Sequence, residues 1–128
     1  MNNFLALDLG TTSLAGRLFS ASGEALAESQ FPNPQTTFGA DILRRLEVAR
    51  DGKGPELQVA LVAGINGLVA ELLVKSGCNP ESIEKIAAAA NPAISILLQN
   101  LSPDLLLRPP YKPETCQAVT IHADSIGL

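Results

Sequence analysis

The sequence predicts an α/β fold, a mixed sheet covered by helices on both faces, and three features carry that expectation. Phe4 to Leu9, Leu14 to Ser20 and Glu24 to Phe31 are short apolar runs separated by the turn sequences Gly10-Thr11-Thr12 and Ser20-Ala21-Ser22-Gly23, the pattern of an antiparallel meander. Leu57, Leu61, Ile65, Leu68 and Leu72 then recur on one face of a long helix. Ile86-Ala87-Ala88-Ala89-Ala90 returns the chain to the sheet ahead of Asn91-Pro92, and a strand reached through helices is a parallel crossover strand.

Residues 1–128 read as one domain, long enough to bury roughly two-thirds of the surface of its unfolded chain. The meander covers about 3–31. Its first strand is expected in the middle of the sheet, and its third, which mixes Ala25, Ala27 and Ser29 with Leu26, Glu28 and Gln30, suits a half-exposed edge. Pro32 and Pro34 end it, since neither can donate to a ladder. A helix follows over about 40–50, with Ile42, Leu43, Leu46 and Val48 at helical spacing, and Asp51-Gly52-Lys53-Gly54 stops it. Pro55 suits the first turn of the next helix, about 56–76, with Gly77 at its C-terminal cap.

Ala60, Gly64 and Gly67 form a strip of small residues on that second helix, where another backbone could approach closely. Interior glycines cost about 1 kcal/mol each, so packing must justify them. Asn79-Pro80-Glu81 opens a short helical turn, and 86–90 is a strand buried under helices on both faces. A helix over about 93–100, a proline-stiffened loop over 103–113 and a final strand over about 117–123, with alternating Val119, Ile121 and Ala123, complete the chain.

Composition removes several function classes. Nine basic against thirteen acidic residues give a net charge of −4 with the cations scattered, so there is no field to attract nucleic acid or an anionic membrane. Cys78 and Cys116 have no second thiol or histidine at ligand spacing, which leaves a disulfide framework, a zinc site and an iron–sulfur cluster unsupported. The N-terminus lacks a basic segment and Asp8 breaks its apolar run, so a cytoplasmic protein without a signal peptide is expected. Gln58, Asn66 and Glu71 punctuate the stretch from Leu57 to Val74, which reads as a core helix instead of a membrane span.

One segment carries chemistry. Asp8-Leu9-Gly10-Thr11-Thr12-Ser13 lies at the tip of the first hairpin, where Gly10 can take positive φ and successive N–H groups can form an anion nest. Thr11, Thr12 and Ser13 add hydroxyl donors. Asp8 would repel a bare phosphate but suits a Mg²⁺ shared with phosphate oxygens, usually through water. The combination points to a nucleotide-phosphate loop.

That stretch resembles the first phosphate motif of the actin, Hsp70 and sugar-kinase superfamily, whose ribonuclease H-like fold closes two lobes on a nucleotide. More narrowly, Phe4 through Pro113 resembles the ATPase-like region of the reductive activators of corrinoid-dependent methyltransferases. Asn33-Pro34-Gln35 and Gly39-Ala40-Asp41-Ile42-Leu43-Arg44-Arg45-Leu46 look like that family's Asn-Pro-Gln and Gly-Ala-Asp signatures. Ile65-Asn66 with Leu68 is similar to its next helix, Ala90-Asn91 stands at its Gly-Asn, and Leu107 with Pro109-Pro110-Tyr111-Lys112-Pro113 looks like its Leu-x-x-Pro-Phe-x-Pro turn.

The resemblance implies an ATP- and Mg²⁺-dependent protein that uses a separate iron–sulfur domain to return an oxidised corrinoid to Co(I). Asp8 would be the metal-side carboxylate, with Gly10, Thr11 and Thr12 as phosphate contacts and Ser13 beside them. Asn33, Gln35, Asp41, Arg45 and Asn91 match family positions without an assigned role, and Asp41 could equally cap its helix and pair with Arg45 at i, i+4. Two departures stand out. Pro92-Ala93-Ile94-Ser95-Ile96 replaces the family's Met and His after Asn91, and the second phosphate and adenosine motifs are missing, His122 to Gly127 lacking the required spacing.

The expected function is therefore the phosphate-binding first lobe of a corrinoid-activator-type ATPase, inactive alone, with a second lobe and a corrinoid protein as partners. A stand-alone or oligomerising interaction module derived from an actin-like lobe, pairing through the face a second lobe would cover, is the alternative that the Ala60/Gly64/Gly67 strip and the apolar excess suggest. A lobe of a sugar or acyl kinase is a third reading.

Overall fold

The computed structural model describes residues 2–107, so Arg108 to Leu128 lie outside it, with Cys116, the Pro109 to Pro113 turn and the strand expected over 117–123. Four strands form one sheet: β1 (Asn3–Leu9), β2 (Ser13–Phe19), β3 (Ala25–Pro32) and β4 (Ile83–Ala90). Their order is β3-β2-β1-β4, with β2 antiparallel to β1 and β3 and with β4 parallel to β1. Thus β1 lies inside the sheet and β3 at an edge. The helices are α1 (Ile42–Val48), α2 (Gly54–Ser76), α3 (Pro92–Gln99) and the short α4 (Asp104–Leu107), with single 3₁₀ turns at Pro34–Phe38 and Pro80–Ser82.

The period of two in β1 and β2 sends Leu5, Leu7 and Leu9 to the same face as Leu14, Gly16 and Leu18, through the pairs Leu5↔Leu18, Leu7↔Gly16 and Leu9↔Leu14. On that face they meet Leu61, Ile65, Leu68 and Leu72 of α2 and Ile94 of α3 in a single buried cluster. Each such side chain removed from water contributes about 1.5–3 kcal/mol. A second cluster joins Leu46 of α1, Leu57 of α2, and Ala93 and Leu97 of α3. By length and composition the helical stretch Ile42–Ser76 could cross a membrane. Instead, its Leu57, Leu61, Ile65, Leu68 and Leu72 are buried in these clusters.

Four expectations are corrected. Among the described residues the helices cover one face only: Ala6, Asp8, Arg17, Glu28 and Gln30 face outward and are exposed. The alanine run is a strand, but an edge strand with Glu84 through Ala90 exposed, not a buried one. Burial of such a run depends on what lies beside it, and alanine is apolar enough for either setting.

The backbone leaves helical geometry at Gly52 between α1 and α2, where φ is 105°, but the loop expected over 103–113 opens with a helical turn, α4, at Asp104–Leu107. Finally, the small strip on α2 is already filled from within the chain. A Cβ on Gly64 would lie 2.5 Å from the Pro34 ring and 3.0 Å from Leu14, and one on Gly67 would lie 2.7 Å from the Phe31 ring. Those glycines serve the helix–sheet contact, which removes the observation behind a self-association strip.

Candidate phosphate site

Because β3 runs antiparallel to β2, it is parallel to β1 and β4, and the carboxyl ends of all three reach the same edge of the sheet. In open α/β sheets ligands bind outside that edge. Three connections meet there: the Gly10-Thr11-Thr12 turn after β1, the Asn33 to Asp41 segment after β3, and Asn91 after β4. Leu9 and Ala90, the last residues of β1 and β4, are register partners.

The turn is tight. The Gly10 N–H donates to the Ser13 carbonyl at 3.0 Å. A Cβ on Gly10 would lie 2.5 Å from that same oxygen, so close approach of main chain is the reason for glycine here. Positive φ, expected from sequence, is not: Gly10 is absent from the positive-φ glycines, which are Gly23, Gly39, Gly52 and Gly77.

A buried polar network grips the turn from inside. Asn33, Gln35 and Arg45 all have a relative exposure of 0%. Asn33 donates through Nδ2 to the Gly10 carbonyl at 2.9 Å and through its main-chain N–H to the Thr12 carbonyl at 2.9 Å. Its Oδ1 accepts from the Gln35 N–H at 2.9 Å, which caps the 3₁₀ turn that follows. Arg45 donates through Nη2 to the Thr11 carbonyl at 2.7 Å and through Nε to the Gly39 carbonyl at 2.7 Å. Gln35 accepts from Arg45 Nη1 at 3.5 Å and donates to the Leu57 carbonyl at 2.9 Å, tying the network to α2.

All three turn carbonyls therefore point into the protein. A trans peptide sets its C=O and N–H on opposite sides, so the Thr11 and Thr12 N–H groups face away from Asn33 and Arg45. Among the described residues neither N–H has a protein acceptor. With the exposed Thr12 and Ser13 hydroxyls at the same tip, the turn presents donors and no main-chain acceptor.

Asp8 stands two residues before Gly10, exposed on the open sheet face between register partners Ala15 and Ala89. It lines an open depression of about 610 Å³ together with Ala6, Ala15, Arg17 and Gln30. Among the described residues no group of three or more His, Cys, Asp or Glu could cage a metal. One carboxylate is nonetheless a fitting donor set for Mg²⁺, which keeps most of its waters and takes its remaining ligands from phosphate.

Two residues matched by family sequence lie at the rim. Asp41 accepts from the Arg44 N–H at 2.9 Å and caps α1, and Asn91 accepts from the Ile94 N–H at 2.9 Å and caps α3. The ion pair expected between Asp41 and Arg45 does not form, because the guanidinium turns inward to the turn carbonyl. Burial pushes the Arg45 guanidinium below its ordinary value, while the negative charge of Asp41 acts in the opposite direction. Sequence reasoning gave Gly39 no role, yet its carbonyl anchors Arg45; the signal for it was a glycine between the 3₁₀ turn and the Asp41 cap of α1, two residues before that cap.

Over residues 4–128 the chain matches the family described as the RACo middle region. It is 28% identical over 112 residues to the corrinoid activation enzyme RamQ of Eubacterium limosum, covering 84% of this chain and 18% of that protein. A solved reductive activator for a corrinoid, iron–sulfur protein superposes with a TM-score of 0.84 at 27% identity, covering 88% of this chain and 18% of that one. The chain thus spans about a fifth of the length of the relatives it matches. A family match over nearly every residue makes this chain a member of the RACo middle region family.

Proposed function

We propose that this chain is the nucleotide-phosphate-binding lobe of a cytoplasmic, ATP-dependent reductive activator of a corrinoid protein. One observation carries the reading: the turn at the carboxyl ends of β1 and β4 has every carbonyl drawn inward and its Thr11 and Thr12 N–H groups turned out. Such a nest suits phosphate oxygens. Gly10, Thr11, Thr12 and Ser13 would hold the phosphate, and Asp8 would hold Mg²⁺ through water. When bound, the metal supplies charge neutralisation on the phosphate. The names of the relatives, which describe activation of corrinoid proteins, support the wider role.

Phosphoryl chemistry depends on positioning and charge stabilisation from both sides of the nucleotide. A turn on one sheet edge supplies one side. The purified chain should therefore bind MgATP weakly, with amide shifts centred on residues 10–13, and should not hydrolyse it. Steady hydrolysis by the chain, lost in Asp8→Ala, would overturn the one-lobe reading.

A further inference from the structure

Arg45 is a fully buried guanidinium whose hydrogen-bond acceptors are all neutral: the Gly39 carbonyl, the Gln35 side-chain oxygen and the Thr11 carbonyl. A buried cation without a contacting carboxylate is costly, and a structure that keeps one gains something from the charge. The bond to Thr11, from a residue 34 positions away, shows where the charge is delivered. A donor on a carbonyl polarises the whole peptide unit, so the guanidinium on Thr11 C=O strengthens the N–H of Thr12 as a donor. Asn33 Nδ2 on Gly10 C=O does the same, without the charge, for the N–H of Thr11.

We propose that Arg45 is a positioning residue that tunes the turn for a multiply charged oxyanion, orienting the Thr11–Thr12 peptide and transmitting positive charge through it to a phosphate it never touches. This rests on the phosphate-site reading above and adds to it the source of anion selectivity in an otherwise acidic chain. Gln35 keeps the guanidinium in place by bonding both to it and to the Leu57 carbonyl of α2. Lysine could not replace Arg45, because reaching Gly39 and Thr11 together needs the rigid fork of a guanidinium.

The test compares the ¹⁵N-labelled 128-residue chain with Arg45→Gln and Arg45→Lys, using inorganic phosphate as the probe. Without ligand, the Thr12 amide proton should move upfield in Arg45→Gln while the rest of the spectrum stays dispersed. On titration, the phosphate dissociation constant read at Thr11 and Thr12 should rise about tenfold in Arg45→Gln, because the Thr12 N–H donor loses the polarisation of its peptide. Arg45→Lys, which keeps the charge without the fork, should fall between the two.

A folded Arg45→Gln variant with an unmoved Thr12 amide, or with wild-type phosphate affinity, overturns the proposal. If Arg45→Gln does not fold, the wild-type chain decides: phosphate should shift the Arg45 Nε–H and Nη–H signals, and unmoved signals overturn the proposal. A wild-type turn that ignores phosphate sinks the phosphate-site reading itself, while the ligand-free Thr12 comparison still judges the coupling from Arg45.

Discussion

Asn33, Gln35 and Arg45 are buried polar residues whose hydrogen bonds hold the Gly10 turn from inside. Gln35 bonds the Leu57 carbonyl, the Asn33 side chain and Arg45. Gln35→Ala removes the side-chain bonds to the Leu57 carbonyl and to Arg45 and leaves a buried Arg45 N–H without its acceptor. It should lower stability in urea unfolding by about 1–3 kcal/mol. Asp8 is the opposite case: exposed, on the open sheet face, and outside the core. Asp8→Asn should leave unfolding within about 0.5 kcal/mol of wild type. Its effect should fall instead on Mg²⁺-dependent ATP binding, and loss of stability without loss of binding would place Asp8 in the fold and not in the site. The turn from Asp8 to Ser13 was legible in the sequence because its chemistry is contiguous. The contact made by Arg45 was not, because its acceptor on Thr11 comes from the β1–β2 hairpin 34 positions away, and helical spacing alone offered Asp41 as the nearer partner.

At the level of elements, α2 illustrates the competition between propensity and packing. Replacing a helical glycine by alanine ordinarily gains about 1 kcal/mol. At Gly64 the new methyl would meet the Pro34 ring at 2.5 Å and Leu14 at 3.0 Å, both held by the turn and the sheet. Overpacking of this kind costs about 1–3 kcal/mol, so Gly64→Ala should lower the urea midpoint. Gly67→Ala meets only the Phe31 ring, which can tilt on the partly exposed edge strand, and should cost less than Gly64→Ala. The glycines announced a close approach in the sequence. Whether a partner or the chain itself made that approach could be learned only from the register of β2 and β3, which places Leu14 opposite Phe31 beneath the helix.

For the whole molecule, the uncovered surfaces count as much as the buried ones. The meander, the crossover and the central position of β1 were all readable from runs and turns; the exposure of β4 was not, since an alanine run says apolar without saying covered. Among the described residues that strand lies at the sheet's edge and carries Ala87 to Ala90 with Glu84 and Lys85 near its start. Among the described residues no strand pairs with the outer edge of β4, and methyl side chains screen a backbone poorly, so its N–H and C=O groups there are templates for another strand. Charge at the start of the strand acts as a gatekeeper, but the last four residues have none. The purified chain should therefore associate reversibly as concentration rises in sedimentation runs, and Ala87→Lys should suppress that association while leaving the turn at Gly10 untouched. The strand that ends beside the Gly10 turn is, by the same absence of bulk and charge, the segment among the described residues where association between copies would begin.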